Sequence, residues 1–239
     1  MDYIKEIKDR AEWINELLAR TGAKGIVYGN SGGKDSVLVG ILARMATENV
    51  TGIIMPCESK VNYSLDRDHA ILISKKYGIK YIEADLTDAK KELRKTLAPI
   101  MSGRVPMAYA NINPRLRMIT LYAYAQDNNY LVSGTSNLSE ITMGYFTKWG
   151  DGACDFNPIA DLTATEVYGM LKALDCPEEI INKPPSAGLY EGQTDEEEMG
   201  ISYDEIDAYI KKGVSNRADY IESRKAATAH KRKLPIVYK

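Results

Sequence analysis

Residues 25–46 read GIVYGNSGGKDSVLVGILARMA. A short β-branched run, residues 25–30, leads into glycines and serines and then into an apolar stretch from Val37 to Met45. That order predicts a strand, a loop and a helix. Upstream, Ile4, Ile7, Ala11, Ile14, Leu17 and Leu18 recur at helical spacing over residues 3–20, and Gly22 and Gly25 end that helix. Downstream the alternation repeats. Residues 51–57 (TGIIMPC) and 79–86 (IKYIEADL) read as strands around a helix at 66–77, and a helix at 114–129 precedes a strand at 130–135 (YLVSGT). Strands alternating with helices imply an α/β fold: a doubly wound, mostly parallel sheet with helices on both faces. Ligands of such sheets bind outside the carboxyl ends of the strands.

The last third is more helical. Thr163 with Glu166, and Ser202 with Glu205, match the capping-box pattern. Pro177 suits a first helical turn. Residues 183–200, KPPSAGLYEGQTDEEEMG, form a long acidic connection of the kind that serves as a lid. No repeat or composition break divides the chain, so residues 1–239 are expected to form one domain.

A formal net charge of −2 argues against a nucleic-acid partner. Basic residues do gather at Arg224, Lys225, Lys231, Arg232 and Lys233, as either a solvated helix end or a clamp for an anionic substrate. Cys57, Cys154 and Cys176 are an odd number and form no CxxC, which fits a reducing compartment. The charged N-terminus lacks a signal-peptide pattern, and no apolar stretch is long enough to span a bilayer. A cytoplasmic protein with no membrane partner is expected.

Residues 29–36, GNSGGKDS, carry the most chemistry. Glycines let a backbone approach a phosphate, and a helix start offers unpaired N–H groups. Ser31 and Ser36 add hydroxyls. A plain strand–helix turn needs far less. The loop is not a Walker A motif, because Gly33-Lys34 is followed by Asp35 and the residue five before Gly33 is Tyr28. It does not fit GxGxxG either. The SGGxDS pattern resembles the pyrophosphate loop of the N-type ATP pyrophosphatases, which cleave ATP between the α and β phosphates. Gly29, Asn30, Ser31, Gly32, Gly33, Lys34, Asp35 and Ser36 are therefore expected to bind ATP. Asp35 suits a magnesium ligand, since a carboxylate beside phosphates needs a cation between them.

Residues 111–118 (NINPRLRM) and 134–152 (GTSNLSEITMGYFTKWGDG), followed by Ser186-Ala187, QTDE at 193–196, GISYDEID at 200–207 and His230-Lys231-Arg232, resemble the ammonia-dependent NAD synthetases in order along almost the whole chain. That resemblance implies an adenine nucleotide alpha hydrolase-like fold and ATP-dependent amidation of deamido-NAD through an acyl-adenylate. It implies Mg2+ on Asp35 and Glu140, ATP contacts from Thr135 and Ser186, and deamido-NAD contacts from Arg115, Lys148, Asp155, His230 and Lys231. Asp35, Glu140, Lys148 and Asp155 would serve catalysis, with Asp151 or Asp155 taking the proton from ammonium. It further implies a homodimer. At 239 residues no glutamine amidase domain is expected, so ammonia is the nitrogen source.

One departure stands out. Many members carry a lysine that reaches ATP where this chain has Ala164, so either Lys34 substitutes for it or ATP binds with one contact fewer. Such a charge-assisted contact is worth roughly 1.5–3 kcal/mol. Ser136-Asn137 also replaces an Asp-His pair found in some members. The rival readings are an RNA-modifying pyrophosphatase, a nucleotide-binding subunit without catalysis, and an enzyme amidating another carboxylate. The absence of paired catalytic cysteines disfavours the first, and the joint presence of Asp35, Glu140 and Lys148 disfavours the second.

Overall fold

The computed structural model describes residues 1–58, 62–183 and 194–238, with the side chains of residues 62–64 excepted. Helix α1 (Tyr3–Thr21) leads to β1 (Gly25–Gly29), α2 (Lys34–Ala46), β2 (Val50–Ile54), α3 (Asn62–Tyr77) and β3 (Lys80–Glu83). Helices α4 (Thr87–Leu97), α5 (Pro106–Ala110) and α6 (Ile112–Asn128) precede β4 (Tyr130–Ser133). The remainder is helical: α7 (Leu138–Met143), α8 (Ala164–Ala173), α9 (Glu178–Ile181), α10 (Asp195–Met199), α11 (Tyr203–Lys212) and α12 (Ala218–Ala227), then a 3-10 turn at Ala229–Arg232.

The four strands pair in parallel in the order β3-β2-β1-β4. Side chains of a strand alternate between faces, and β1 shows it. Ile26 and Tyr28 pack on one face with α1, α2 and α8, while Val27 packs on the other with Ile53, Val132 and Ala125 of α6. Helices therefore cover both faces, as the alternation in the sequence predicts. A third cluster, with Met143, Ala164, Met199, Ile206 and Ile221, joins the C-terminal helices.

Tyr28 anchors the start of the loop that follows β1. It is fully buried, and its ring fills a slot made by two glycines. A Cβ at Gly40 would fall 2.3 Å from its hydroxyl, and one at Gly52 would fall 3.0 Å away. The ring thereby locks α2 onto β1 and β2, two residues before the loop begins.

The strands are shorter than their sequence patterns. β2 leaves the ladder after Ile54 instead of running to Cys57, and β4 leaves after Ser133. Pro56 cannot donate to a ladder. Residues freed in this way line the mouth of the sheet. The expected capping boxes at Thr163/Glu166 and Ser202/Glu205 are present. A third, Asn137/Glu140, starts α7. Asp207 of α11 ties this region together. Its carboxylate accepts hydrogen bonds from Ser139 Oγ, from the Thr165 N–H at 2.8 Å and from Thr165 Oγ. Residues 184–193 of the expected lid lie outside the described residues. Its end is helical: Thr194 caps α10 by accepting from the Glu197 N–H at 3.3 Å, and four acidic residues in the first turn suit the helix dipole.

Candidate active site

The loop after β1 is fixed from three directions. Asn30 is 2% exposed and donates through Nδ2 to Ala70 O (3.3 Å) and to Ser74 Oγ (3.1 Å) of α3. Gly32 takes a φ of +67°, and a Cβ there would lie 2.3 Å from Asp66 O. Ser31 and Ser36 join their hydroxyls across the loop at 3.0 Å, and Ser36 Oγ donates to Gly33 O at 3.0 Å. The loop is thus preformed, with the free N–H groups of α2 behind it.

Asp35 and Glu140 meet beside the loop although they lie far apart in sequence. Asn137 joins them. Its Nδ2 donates to Asp35 Oδ1 at 3.0 Å, and its backbone N–H donates to Glu140 Oε2 at 3.0 Å. Between the two carboxylates sits the Lys34 ammonium, 2.6 Å from Asp35 Oδ2 and 3.9 Å from Glu140 Oε1. Tyr203 donates to Asp195 Oδ2 at 3.1 Å and stands 3.5 Å from Glu140 Oε1. Burial, and then the Asp35 charge, push the Glu140 carboxyl well above the usual carboxylate range. Burial opposes charge on Lys34, but Asp35 and Glu140 outweigh it and raise its pKa.

This cluster fits a divalent ion. It is acidic and desolvated, with Asp195 near enough to add to the charge that acts on Glu140. Among the described residues no group of three or more His, Cys, Asp or Glu forms a complete metal cage. Two carboxylates completed by phosphate and water oxygens are a common arrangement for magnesium.

The loop and the carboxylates line a cavity of about 590 Å³. Gly29, Asn30, Ser31, Gly33, Lys34, Asp35, Ser36, Thr135, Glu140 and Lys231 line it, as does Asp151. Lys231 donates to Gly144 O (2.8 Å) and Phe146 O (2.7 Å), so its ammonium is already oriented. Gly32 supports the loop from behind. Arg115, Lys148, Asp155 and His230 are not among the lining residues. Arg115 is exposed and reaches Lys148 O at 3.5 Å, while Lys148 Nζ donates to His230 O. These three therefore form one group on the outer surface. Both Asp155 oxygens hold structure: Oδ2 accepts from the Val132 N–H (2.8 Å) and Oδ1 from the Tyr122 hydroxyl (3.2 Å). Ser186 lies outside the described residues. Ala164 opens α8, and Tyr168 one turn on lies 5.9 Å from Lys34 Nζ. The cation beside this helix thus comes from the loop.

Whereas the resemblance points to Arg115, it is Arg117 that lines the cavity. Its Nε donates to Met55 O at 3.1 Å. No carboxylate pairs with its guanidinium among the described residues, and burial lowers its pKa. Leu121, one turn further, reaches within 3.8 Å of the Cβ position at Gly29, which places Arg117 on the loop's side of the cavity. Its signal was legible. Asn113, Pro114, Arg117, Leu121 and Ala125 fall at helical spacing on the inward face of α6, and an arginine in that stripe marks a pocket.

The family model described as NAD synthase matches residues 6–235. The NH(3)-dependent NAD(+) synthetase of Finegoldia magna is 42% identical over 235 residues, covering 98% of this chain and 95% of that protein. Among solved structures, the NMN synthetase from Francisella tularensis matches with a TM-score of 0.93 at 34% identity, covering 100% of this chain and 99% of the other. The NH3-dependent NAD synthetase from Campylobacter jejuni matches with a TM-score of 0.81 at 28% identity, with 100% of both chains covered.

Proposed function

Since the chain belongs to the NAD synthase family, we infer that it catalyses the ATP-dependent amidation of deamido-NAD by ammonia, giving NAD, AMP and pyrophosphate. It is a ligase that forms a C–N bond. The convergence of Asp35 and Glu140 beside a preformed loop that lines a cavity of about 590 Å³ carries this reading.

The substrate carboxylate is itself the nucleophile, so no side chain needs activating. The chain must align that carboxylate with the α-phosphorus and stabilise the charge that develops. The N–H groups at the start of α2 receive the departing pyrophosphate. Asp35 and Glu140 would hold a magnesium ion, which neutralises phosphate charge when bound. Ammonia then attacks the acyl carbon, and AMP leaves. Asp151 is the better placed base for the ammonium proton. It lines the cavity, its Oδ1 accepts from the Thr147 N–H at 2.9 Å, and although much of the residue meets solvent, desolvation at the carboxyl raises its pKa. An Asp151→Asn variant is expected to form adenylate normally and to make amide about 10²-fold more slowly. Equal loss in both steps, measured by pyrophosphate release and NAD formation, would assign Asp151 to binding.

Arg117 is a desolvated cation with no carboxylate in salt-bridge contact among the described residues, an arrangement that suits an anionic ligand. Arg117→Met keeps the bulk and removes the charge. The KM for ATP should rise roughly 10- to 100-fold, the equivalent of a charge-assisted contact, while the melting temperature holds or rises. Steady-state kinetics and a thermal melt check both.

The NMN synthetase superposes more closely than the Campylobacter enzyme, which favours a second substrate, the acid precursor of NMN. Purified protein with ATP and magnesium should therefore be offered each acid, with ammonium or with glutamine. NAD formed with ammonium alone supports the reading. Amidation of the mononucleotide at higher kcat/KM would move the activity to that substrate. Pyrophosphate release with neither acid would retain the loop chemistry and discard both.

We place the protein in the cytoplasm as a homodimer. Unpaired Cys57, Cys154 and Cys176 suit a reducing compartment, and exposed Val105, just before α5, and Ile119 of α6 add apolar surface outside the cavity. Among the described residues no helix is long and apolar enough to cross a membrane.

A further inference from the structure

Lys34 is the first residue of α2, where the helix dipole disfavours a cation. Its side chain is only 5% exposed, so its charge is also poorly hydrated. Two carboxylates and two rings hold it there nonetheless. Asp35 Oδ2 lies at 2.6 Å, Glu140 Oε1 at 3.9 Å, and the centroids of Tyr203 and Tyr168 at 5.1 and 5.9 Å. The ammonium thus stands at the point on which both carboxylates converge. A divalent ion held by those carboxylates would need the same ground, and its charge would repel an ammonium left beside it.

We propose that the Lys34 ammonium is a resident counter-cation that occupies the metal's place between Asp35 and Glu140 until nucleotide arrives, so that the divalent ion loads with ATP and not before it. This rests on the reading of Asp35 and Glu140 as the metal carboxylates. The lysine stem is flexible and its ammonium suits phosphate oxygens as well as carboxylates. When a triphosphate enters the loop, it offers Lys34 a new partner and brings ligands that complete the metal's shell. One movement then exchanges a monovalent cation for a divalent one. Asn137 keeps Asp35 in place throughout, because it holds the oxygen that Lys34 does not.

Mn2+ binding to the full chain, followed by electron paramagnetic resonance and titration calorimetry, tests the exchange. Wild type should bind Mn2+ weakly alone and at least 10-fold more tightly with a non-hydrolysable ATP analogue. Lys34→Met should bind Mn2+ without nucleotide at least 10-fold more tightly than wild type, and Lys34→Arg should stay like wild type. Adding Asp35→Asn to Lys34→Met should abolish the gain. Lys34→Gln replaces Lys34→Met if the apolar variant melts early. If wild type binds Mn2+ with the analogue but the neutral variants show no gain without it, the counter-cation role is overturned and the metal reading stands. Equal nucleotide-free binding by wild type and the neutral variants overturns it likewise. If wild type binds no Mn2+ even with the analogue, the metal reading fails and this role fails with it.

Discussion

An Asp35→Asn variant is expected to fold as well as wild type and to lose about 10³-fold in NAD formation. The side chains are nearly isosteric, so packing is kept. Asp35 is the charge that, after burial, does most to push the Glu140 carboxyl upward. Relief of that repulsion offsets the loss of the Lys34 pair, so the melting temperature should change little. Catalysis cannot be spared in the same way. On the proposed reading of Asp35 and Glu140 as metal carboxylates, a neutral amide at position 35 would leave the cation with one carboxylate instead of two. Pyrophosphate release should fall together with NAD formation, since both depend on adenylate. An Asp35→Asn protein retaining a tenth or more of wild-type pyrophosphate release would remove Asp35 from the metal site.

Gly32→Ala should be nearly as damaging to activity, for a purely steric reason. The position has a φ of +67°, which an L side chain tolerates poorly. The added Cβ would stand 2.3 Å from Asp66 O and 2.9 Å from Ala70 N, both backbone atoms of α3. Neither can turn aside as a side-chain tip can. Either the loop lifts from α3 or α3 shifts, and in both cases the Asn30 bonds to Ala70 and Ser74 are strained. A loss of more than 100-fold in kcat/KM for ATP is expected, with a melting temperature lowered by several degrees. Kinetics and a thermal melt report the two effects separately. Unchanged kinetics would mean that the loop is not held against α3 in solution.

The sequence was most legible where chemistry is local. Residues 25–46 could be read as strand, loop and helix because a β-branched run, glycines and an apolar stretch follow one another, and the two-face packing of β1 follows from the alternation of Ile26, Val27 and Tyr28. The pairing of Asp35 with Glu140 was not legible from spacing. It depends on β4 lying beside β1 and on Asn137 bridging them, and only resemblance suggested it. Arg115 and Arg117 show the opposite limit. Two residues apart on a helix, they point in different directions, and the inward stripe of α6 marks Arg117 as the one that lines the cavity. The helix at Asp195–Met199 was hidden inside an apparent loop because its acidic residues look like solvated surface, although Thr194 and Glu197 carry the spacing of an N-cap.

The strand order also sets a timetable. β1 pairs with β2 soon after both exist, but its other edge waits for β4, where Gly25 faces Tyr130 and Tyr28 faces Ser133. At ordinary synthesis speed the residues between those edges take roughly 5–20 s to appear. For that interval a growing chain carries the unpaired, apolar edge of Ile26 and Val27, a template for pairing with the wrong strand. The nascent protein should therefore depend on chaperones until residue 133 has emerged, and a translational pause placed within α4 to α6 should lower its soluble yield more than one placed after β4.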